Sequence, residues 1–252
     1  VGKSSITTNL AAALAEQGYT VGVMDADIWG FSVPRMLGVD GDLVSKDGKI
    51  QPLVREIGTG RLEVVSMGFL VDQEDSALMW RGLMLNRAVQ HFCQDVAWPS
   101  DLDYLLIDMP PGTGDAQLTL SQRAALSGAV IVSTPQDLAL IDARKGLNMF
   151  RKVNVPVLGI IENMSHFICT DCGSRHDIFG HGGAAAEAAR IGAPFLGEVP
   201  LEMAIRATSD EGTPVVAKDP GGPHAAHYTA IASVVMAQLD DAVKAGPKIV
   251  IE

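Results

Sequence analysis

Short, largely apolar runs alternate with Ala/Leu-rich helical patterns along the whole chain. Tyr19 to Met24 is one such run and stops at Asp25; Tyr104 to Ile107 stops in the same way at Asp108. Gly128 to Val132 and Val155 to Ile161 are two more. Runs without a polar residue at every second position are what strands buried on both faces require. Between them the apolar spacing changes to the helical period over Ser5 to Gln17, with Gly18 as a stop, and over residues 83–97, 115–126 and 137–152. A last helical pattern runs from about His224 to Lys244. Strands alternating with helices predict parallel pairing through right-handed crossovers. The expected fold is therefore α/β: a doubly wound, mostly parallel sheet with helices on both faces, as a single domain over residues 1–252. Residues 39–79 break the rhythm with Gly, Asp, Lys and short β-like pieces such as Leu62 to Val65, and are expected to be an insertion on that domain. In sheets of this kind ligands bind outside the carboxyl ends of the strands, which is where Asp25, Asp108 and Asn163 fall.

Composition narrows the function classes. The chain has 252 residues, 47% of them hydrophobic and 19% charged, which suits a globular core and excludes disorder. Its net charge of −11 argues against a broad nucleic-acid or anionic-membrane surface, so neither is expected as a partner. No apolar run approaches the roughly 18 residues of a membrane span. Three cysteines are too few for a disulfide framework, which makes a reducing, cytoplasmic setting the expectation.

The chain opens Val1-Gly2-Lys3-Ser4-Ser5, which reads as the second half of a phosphate-binding loop running into a helix. In such a loop the backbone N–H groups cradle phosphate, the lysine neutralises its charge and the hydroxyl meets Mg²⁺. The helix N-terminus adds partial positive charge. Taken alone, the tripeptide is equally a surface lysine near a helix start. Asp108, closing the strand Tyr104-Leu105-Leu106-Ile107, has the position of an acid near a nucleotide-bound metal. The following Met109-Pro110-Pro111-Gly112-Thr113-Gly114-Asp115 joins a stiff turn to a mobile one, as a γ-phosphate-sensing loop would, with Asp115 also readable as a helix N-cap. Asp25-Ala26-Asp27 ends another strand. Two carboxylates so spaced diverge in a turn, one toward metal and one toward water, or else simply make an Asx-type bond.

Cys169 and Cys172 form a Cys-x-x-Cys pair followed by Gly173. The spacing lets two thiolates face one metal atom, but cluster and zinc sites both commonly want four. Two chains about a twofold axis would supply four, so the count argues for a ligand shared across a homodimer. Three readings stay open at this level: a metal cluster, a structural zinc assisted by His166, His176 or His181, and a redox dithiol. The three histidines themselves are read as structural or solvent-exposed. Cys93, beside Phe92 and Val96 in a helical pattern, is read as core packing.

Together these residues resemble the Mrp/ApbC-type iron–sulfur cluster carrier ATPases, in the MinD/ParA-like branch of P-loop proteins. The resemblance rests on VGKSS at the start, DADIWGFSVPRMLG at 25–38, WRG at 80–82, DYLLIDMPPGTGDAQLTL at 103–120 and STPQDLALIDARKG at 133–146. It continues through IENMSHFICTDCGSRHDIFGHGGAAAEA at 161–188, the most specific stretch, and SDEGTPVV at 209–216. Phe31 and Leu83 stand where the family usually has Pro. The resemblance implies ATP and Mg²⁺ as ligands, held by Gly2, Lys3, Ser4, Ser5, Asp25, Asp108, Gly112 and Asn163. Lys3 would bind phosphate, Ser4 would ligate Mg²⁺, and Asp25 and Asp108 would hold its shell through waters. Asp27 would orient or deprotonate the attacking water, and Asn163 would meet the adenine edge. It further implies a labile [4Fe-4S] cluster on Cys169 and Cys172 in a loop over residues 164–183, delivered to apoproteins. The family's first strand and its additional loop lysine would precede Val1, so both are expected to be missing from this chain.

Two other functions compete. A MinD/ParA-like positioning ATPase with a structural zinc would need a basic membrane helix or a basic DNA surface. The tail Gln238-Leu239-Asp240-Asp241-Ala242-Val243-Lys244 is acidic instead. A non-catalytic zinc dimer would have no use for Asp27, Asp108 and the Pro110-to-Asp115 loop.

Overall fold

The computed structural model describes residues 1–27, 32–66, 69, 94–112 and 114–245. Phe31, Trp80-Arg81-Gly82, Leu83, Cys93, Thr113 and most of the helix expected over 83–97 lie outside them. Where that last stretch is described, Val96 bridges Ile50 rather than continuing a helix.

Helix α1 (Lys3–Glu16) leads into strand β1 (Thr20–Asp25). Gly18 supplies the expected stop: its N–H bonds Ala15 O at 2.9 Å, and Tyr19 N–H turns back to Leu14 O. Helix α1 is buried almost all round, and Ala11, Ala12, Ala13 and Ala15 are each at most 1% exposed. Methyl side chains on that run let the helix lie close to both the sheet and the C-terminal helix. A larger residue at Ala12 would overpack this layer at a cost of about 1–3 kcal/mol.

After the short α2 (Val33–Met36) come β2 (Ser45–Lys46), β3 (Lys49–Ile50), β4 (Leu53–Ile57) and β5 (Gly60–Ser66). Strand β6 (Tyr104–Asp108), helix α3 (Asp115–Arg123), strand β7 (Ala129–Ser133), helix α4 (Asp137–Lys152) and strand β8 (Val157–Asn163) follow. The small hairpin β9 (Phe167–Ile168) and β10 (Arg175–His176) precedes α5 (Gly183–Ile191), β11 (Phe195–Val199), α6 (Met203–Asp210), α7 (Val215–Lys218) and α8 (Pro223–Ala245). No helix among the described residues is long and apolar enough to cross a membrane.

The strands form two main sheets. One has the order β4-β5-β1-β6, with β5, β1 and β6 parallel and β4 antiparallel to β5; the other, β11-β8-β7, is all parallel. The mostly parallel α/β architecture is thus as expected. Part of the stretch over 39–79 does more than decorate it: β5 pairs in register with β1 along its whole length and contributes Leu62, Val64 and Val65 to the core. Strand β8 starts two residues later than expected, after Pro156, which has no N–H to give a ladder. Strand β11 and helices α5 and α6 were not anticipated from periodicity.

Strands β6 and β7 are the end strands of the two sheets. Between them lies a cavity of about 550 Å³, walled by Leu105, Leu106, Ala129, Val130 and Val132, with Leu10 and Leu14 of α1 and Val235 of α8 alongside. Leu105, on the end strand β6, is 41% exposed and faces this space.

Candidate functional site

Three parallel strands deliver their last residues to one place. Asp25 pairs in register with Ser66 on one side and Asp108 on the other. Both carboxylates are buried. Ser66 Oγ donates to Asp25 Oδ2 at 3.1 Å. Ser4 Oγ, in the first turn of α1, donates to Asp108 Oδ2 at 2.5 Å, and Thr7 Oγ1 lies 3.2 Å from Asp108 Oδ1. Thr7 was missed in the sequence, although its spacing of three residues from Ser4 puts both hydroxyls on one helix face.

The electrostatics of this cluster call for a cation. Burial, and then the neighbouring charge of Asp108, push the Asp25 carboxyl up to about 7. Burial also raises Asp108, against the opposing pull of Ser4, Thr7 and Lys3. Asp25 Oδ1 accepts the Asp27 N–H at 3.1 Å, so the Asx-type turn read from the sequence is present and sets where Asp27 sits. The two readings of Asp25-Ala26-Asp27 are therefore compatible.

Gly2 has φ +76°, and a Cβ there would meet Asn163 Nδ2 at 2.4 Å. Both facts require glycine at this position. Asn163, at the end of β8, donates from Nδ2 to the Val1 carbonyl at 2.9 Å and so fastens the loop to the second sheet. Ser5 lies half-buried in the first turn of α1, and its carbonyl accepts from Asn9 Nδ2 at 3.0 Å. In the loop after β6, Gly112 is exposed. Gln117 donates from Nε2 to the Pro110 carbonyl, while its Oε1 is buried without a partner among the described residues. Helix α3 begins at Asp115 with Gly114 before it as the cap residue.

The cysteine pair stands apart in character. Cys169 and Cys172 lie in the turn of the β9–β10 hairpin; Cys172 is exposed and Cys169 half-buried. Gly173 (φ +71°) turns the chain behind them: its N–H bonds Cys169 O at 2.8 Å, and Cys169 N–H bonds Ser174 O at 2.9 Å. Cys172 Sγ lies 3.2 Å from Ser174 Oγ, and hydrogen bonding from Ser174 holds the thiol below its ordinary range. Among the described residues no third His, Cys, Asp or Glu stands with the two sulfurs to complete a site. The expected histidines are engaged elsewhere: His166 Nδ1 lies 2.9 Å from Ser165 Oγ, His181 Nδ1 lies 2.7 Å from Arg175 Nη2, and His176 packs against Phe167.

Residues 1–236 match the family model for ParA, described as the NUBPL iron-transfer P-loop NTPase. The chain belongs to this family. Relatives include the iron-sulfur cluster carrier protein of Salmonella typhimurium, 50% identical over 95% of this chain and 64% of its own length. Another is the iron-sulfur cluster transfer protein NUBPL of Mus musculus, 48% identical over 95% of this chain and 74% of its own. The chain thus spans just under two thirds of the bacterial carrier's length. Among solved structures, a nucleotide-binding protein from Archaeoglobus fulgidus in complex with ADP superposes with a TM-score of 0.74 at 37% identity, over 90% of this chain and 86% of that one. The cell-division ATPase MinD of Pyrococcus furiosus superposes with a TM-score of 0.71 at 22% identity over 94% of both chains, which shows the shared fold. The MinD/ParA-like P-loop NTPase architecture is therefore that of this family member.

Proposed function

We propose that the protein is an ATP-hydrolysing carrier that holds a labile [4Fe-4S] cluster between two copies of itself and passes it to apoproteins. The observation that carries this reading is the exposed Cys169–Cys172 turn. It offers two thiols and no further ligand among the described residues, on a chain whose family and relatives are iron-transfer proteins. Four thiolates from two protomers would bind the cluster as cargo.

The nucleotide end would drive the cycle. The residues fit ATP and Mg²⁺: two buried carboxylates side by side, a hydroxyl on one of them and a glycine cradle beside Asn163. Bound Mg²⁺ would supply positive charge between phosphate oxygens and the protein. Gly2, Lys3, Ser4 and Ser5 would surround the phosphates, with Lys3 countering their charge and the Ser4 hydroxyl turning from Asp108 toward the metal. Asp25 and Asp108 would hold the metal's waters. Gly112 would let its loop approach the terminal phosphate. Asn163 would keep Nδ2 on the Val1 carbonyl and offer Oδ1 to the adenine edge. Asp27, placed by its N–H bond to Asp25, would accept the proton of the attacking water. Asp27→Asn should lower ATP turnover by about 100-fold or more while leaving ATP binding intact. Equal turnover in the variant would remove Asp27 from this role.

The cavity between β6 and β7 has unpaired strand edges on both sides and apolar walls. One more parallel strand leading into Gly2 would fill this space and would join the two sheets into one.

The deciding experiment is anaerobic reconstitution with iron and sulfide. About four irons per dimer in a [4Fe-4S] Mössbauer signal, absent from Cys169→Ala/Cys172→Ala, is the expected result. Stoichiometric zinc, with no cysteine-dependent cluster, would overturn the reading in favour of a structural metal on a nucleotide switch.

A further inference from the structure

Strands β8 and β11 pair in parallel with Glu162 in register with Glu198, so two carboxylates stand side by side on one face of the sheet. Like charges in that relation repel unless something positive lies between them. Glu162 is fully buried. Its two oxygens accept N–H bonds from Gly182 at 3.2 Å and Ala184 at 2.7 Å, at the start of α5. Each oxygen keeps a second lone pair. The chain entering α5 brings the His181 imidazole to the same point. One ligand atom from each of Glu162, His181 and Glu198 lies within 4.8 Å of the other two. His166 stands at the edge of the group, its Nδ1 3.9 Å from Glu198 Oε1.

We propose that Glu162, Glu198 and His181 form a binding site for a divalent transition-metal ion, distinct from the cysteine pair. Two carboxylates and one imidazole make a mixed oxygen and nitrogen donor set, which suits Zn²⁺, Co²⁺ or Fe²⁺ better than Mg²⁺ or Ca²⁺. Water would take the remaining positions.

A cation already holds one of the three ligands in the metal-free chain. Arg175 Nη2 lies 2.7 Å from His181 Nδ1. A guanidinium only donates, so this bond uses the single lone pair of the neutral ring. Whichever ring nitrogen meets the metal, Arg175 must let go first. It has somewhere to go, since its Nε already bonds Asp177 Oδ1 at 2.9 Å. Arg175 belongs to β10, one arm of the hairpin that carries Cys169 and Cys172. Metal at the Glu–Glu–His site therefore releases one side-chain tie of that hairpin, and by linkage a change in the hairpin alters metal affinity.

The test uses the Cys169→Ser/Cys172→Ser protein, so that neither thiolate contributes and the outcome is separate from the fate of the cluster reading. Co²⁺ is titrated in excess Mg²⁺, which occupies the oxygen site at Asp25 and Asp108, and visible absorption and chelator competition are recorded. One Co²⁺ per chain without thiolate charge-transfer bands is expected. Adding His181→Ala or Glu198→Gln should weaken it on the order of 100-fold, because even outer partners of a metal ligand cost about 10–100-fold. Arg175→Gln should tighten it by about tenfold, an effect that a merely structural role for these residues would not produce. His181 is exposed, so its variant should melt like its parent and report binding alone. Absence of stoichiometric Co²⁺ in the cysteine-free protein, or His181→Ala binding it as the parent does, would overturn the proposal.

Discussion

The nucleotide end and the cysteine hairpin both follow the carboxyl ends of parallel strands, yet they are built on opposite principles. Around Asp25 and Asp108 two buried carboxylates are tied from several sides: half-buried Ser4 and Thr7, buried Ser66 and the backbone of Asp27 and Val33 all turn toward them. Around Cys169 and Cys172 the strands are two residues long, Cys172 is exposed, and the turn is held by three short-range hydrogen bonds involving Ser174 and Gly173. The first region stores electrostatic cost that a cation would relieve. The second stores almost none. Removing a charged group should therefore change the stability of the ligand-free chain at the first region and hardly change it at the second.

The sharpest way to break this comparison is Asp25→Asn. In the folded chain burial, and then the charge of Asp108, raise the Asp25 carboxyl from its ordinary 3.8 to about 7. Between those values the folded state holds a proton that the unfolded state has lost, so stability falls as pH rises through this window. Allowing for charge shared with Asp108, the fall is about 2–4 kcal/mol. Chemical denaturation of the metal-free protein at pH 5 and pH 8 should show it in the wild type and not in Asp25→Asn, which should be the more stable protein at pH 8. Equal stability of the wild type at both pH values would mean that the cluster carries no such cost.

Gly2→Ala comes next. A left-handed backbone costs an alanine about 1–2 kcal/mol, and the added methyl also strikes Asn163 Nδ2. A loss of about 2–3 kcal/mol in urea titration is expected, together with weaker ATP binding measured by calorimetry. A variant as stable as the wild type would mean that the Val1–Asn163 bond does not hold the loop in this form.

Glu187 offers a contrast between the two ends, since it is a carboxylate whose cation is already present. Arg190, and then Arg144, pull it down to about 2 through paired hydrogen bonds. Its stabilisation is fully present above its unfolded value near 4.5 and is lost as pH falls toward 2. Because both guanidinium groups are substantially exposed, Glu187→Gln should cost only about 1 kcal/mol at pH 7. The gap to the wild type should narrow as pH falls below 4.5 and close only near pH 2. A gap that widened in acid would contradict the assignment.

The same contrast explains what could be read from the sequence. The strand ends that would form the nucleotide site were legible because burial on both faces writes itself as apolar runs, and Asp25 and Asp108 close two of those runs side by side. Helix α4 over Asp137–Lys152 and the stop at Gly18 were legible for similar local reasons. Strand β11 was not: Phe195-Leu196-Gly197-Glu198-Val199 is short, is broken by glycine and places an acid next to its end. Nor was the partnership of Glu162, His181 and Glu198, whose members are distant in sequence and meet only through strand register and the entry to α5. Ser66 became a partner of Asp25 only because β5 joins the main sheet, which no periodicity within residues 39–79 announces. Apart from Thr7, one turn along from Ser4, local chemistry was visible where one segment supplied it, and the partnerships that needed two segments to be paired first were not.

The smallest expected effect is on the hairpin itself. Cys169→Ala/Cys172→Ala removes no buried contact of Cys172 and leaves the turn's backbone bonds, which depend on Gly173 and Ser174, in place. Surface changes of this kind stay within about 0.5 kcal/mol. Thermal melting of the metal-free variant should therefore superimpose on the wild type even though every cysteine-dependent metal signal is gone. A substantial drop in melting temperature would mean that the thiols are packed into the fold, and the hairpin would then be a structural element like the nucleotide end. Superposition of the two melts would instead separate the two regions in energy: one end whose buried charges weigh on the stability of the chain, and one whose two sulfurs do not.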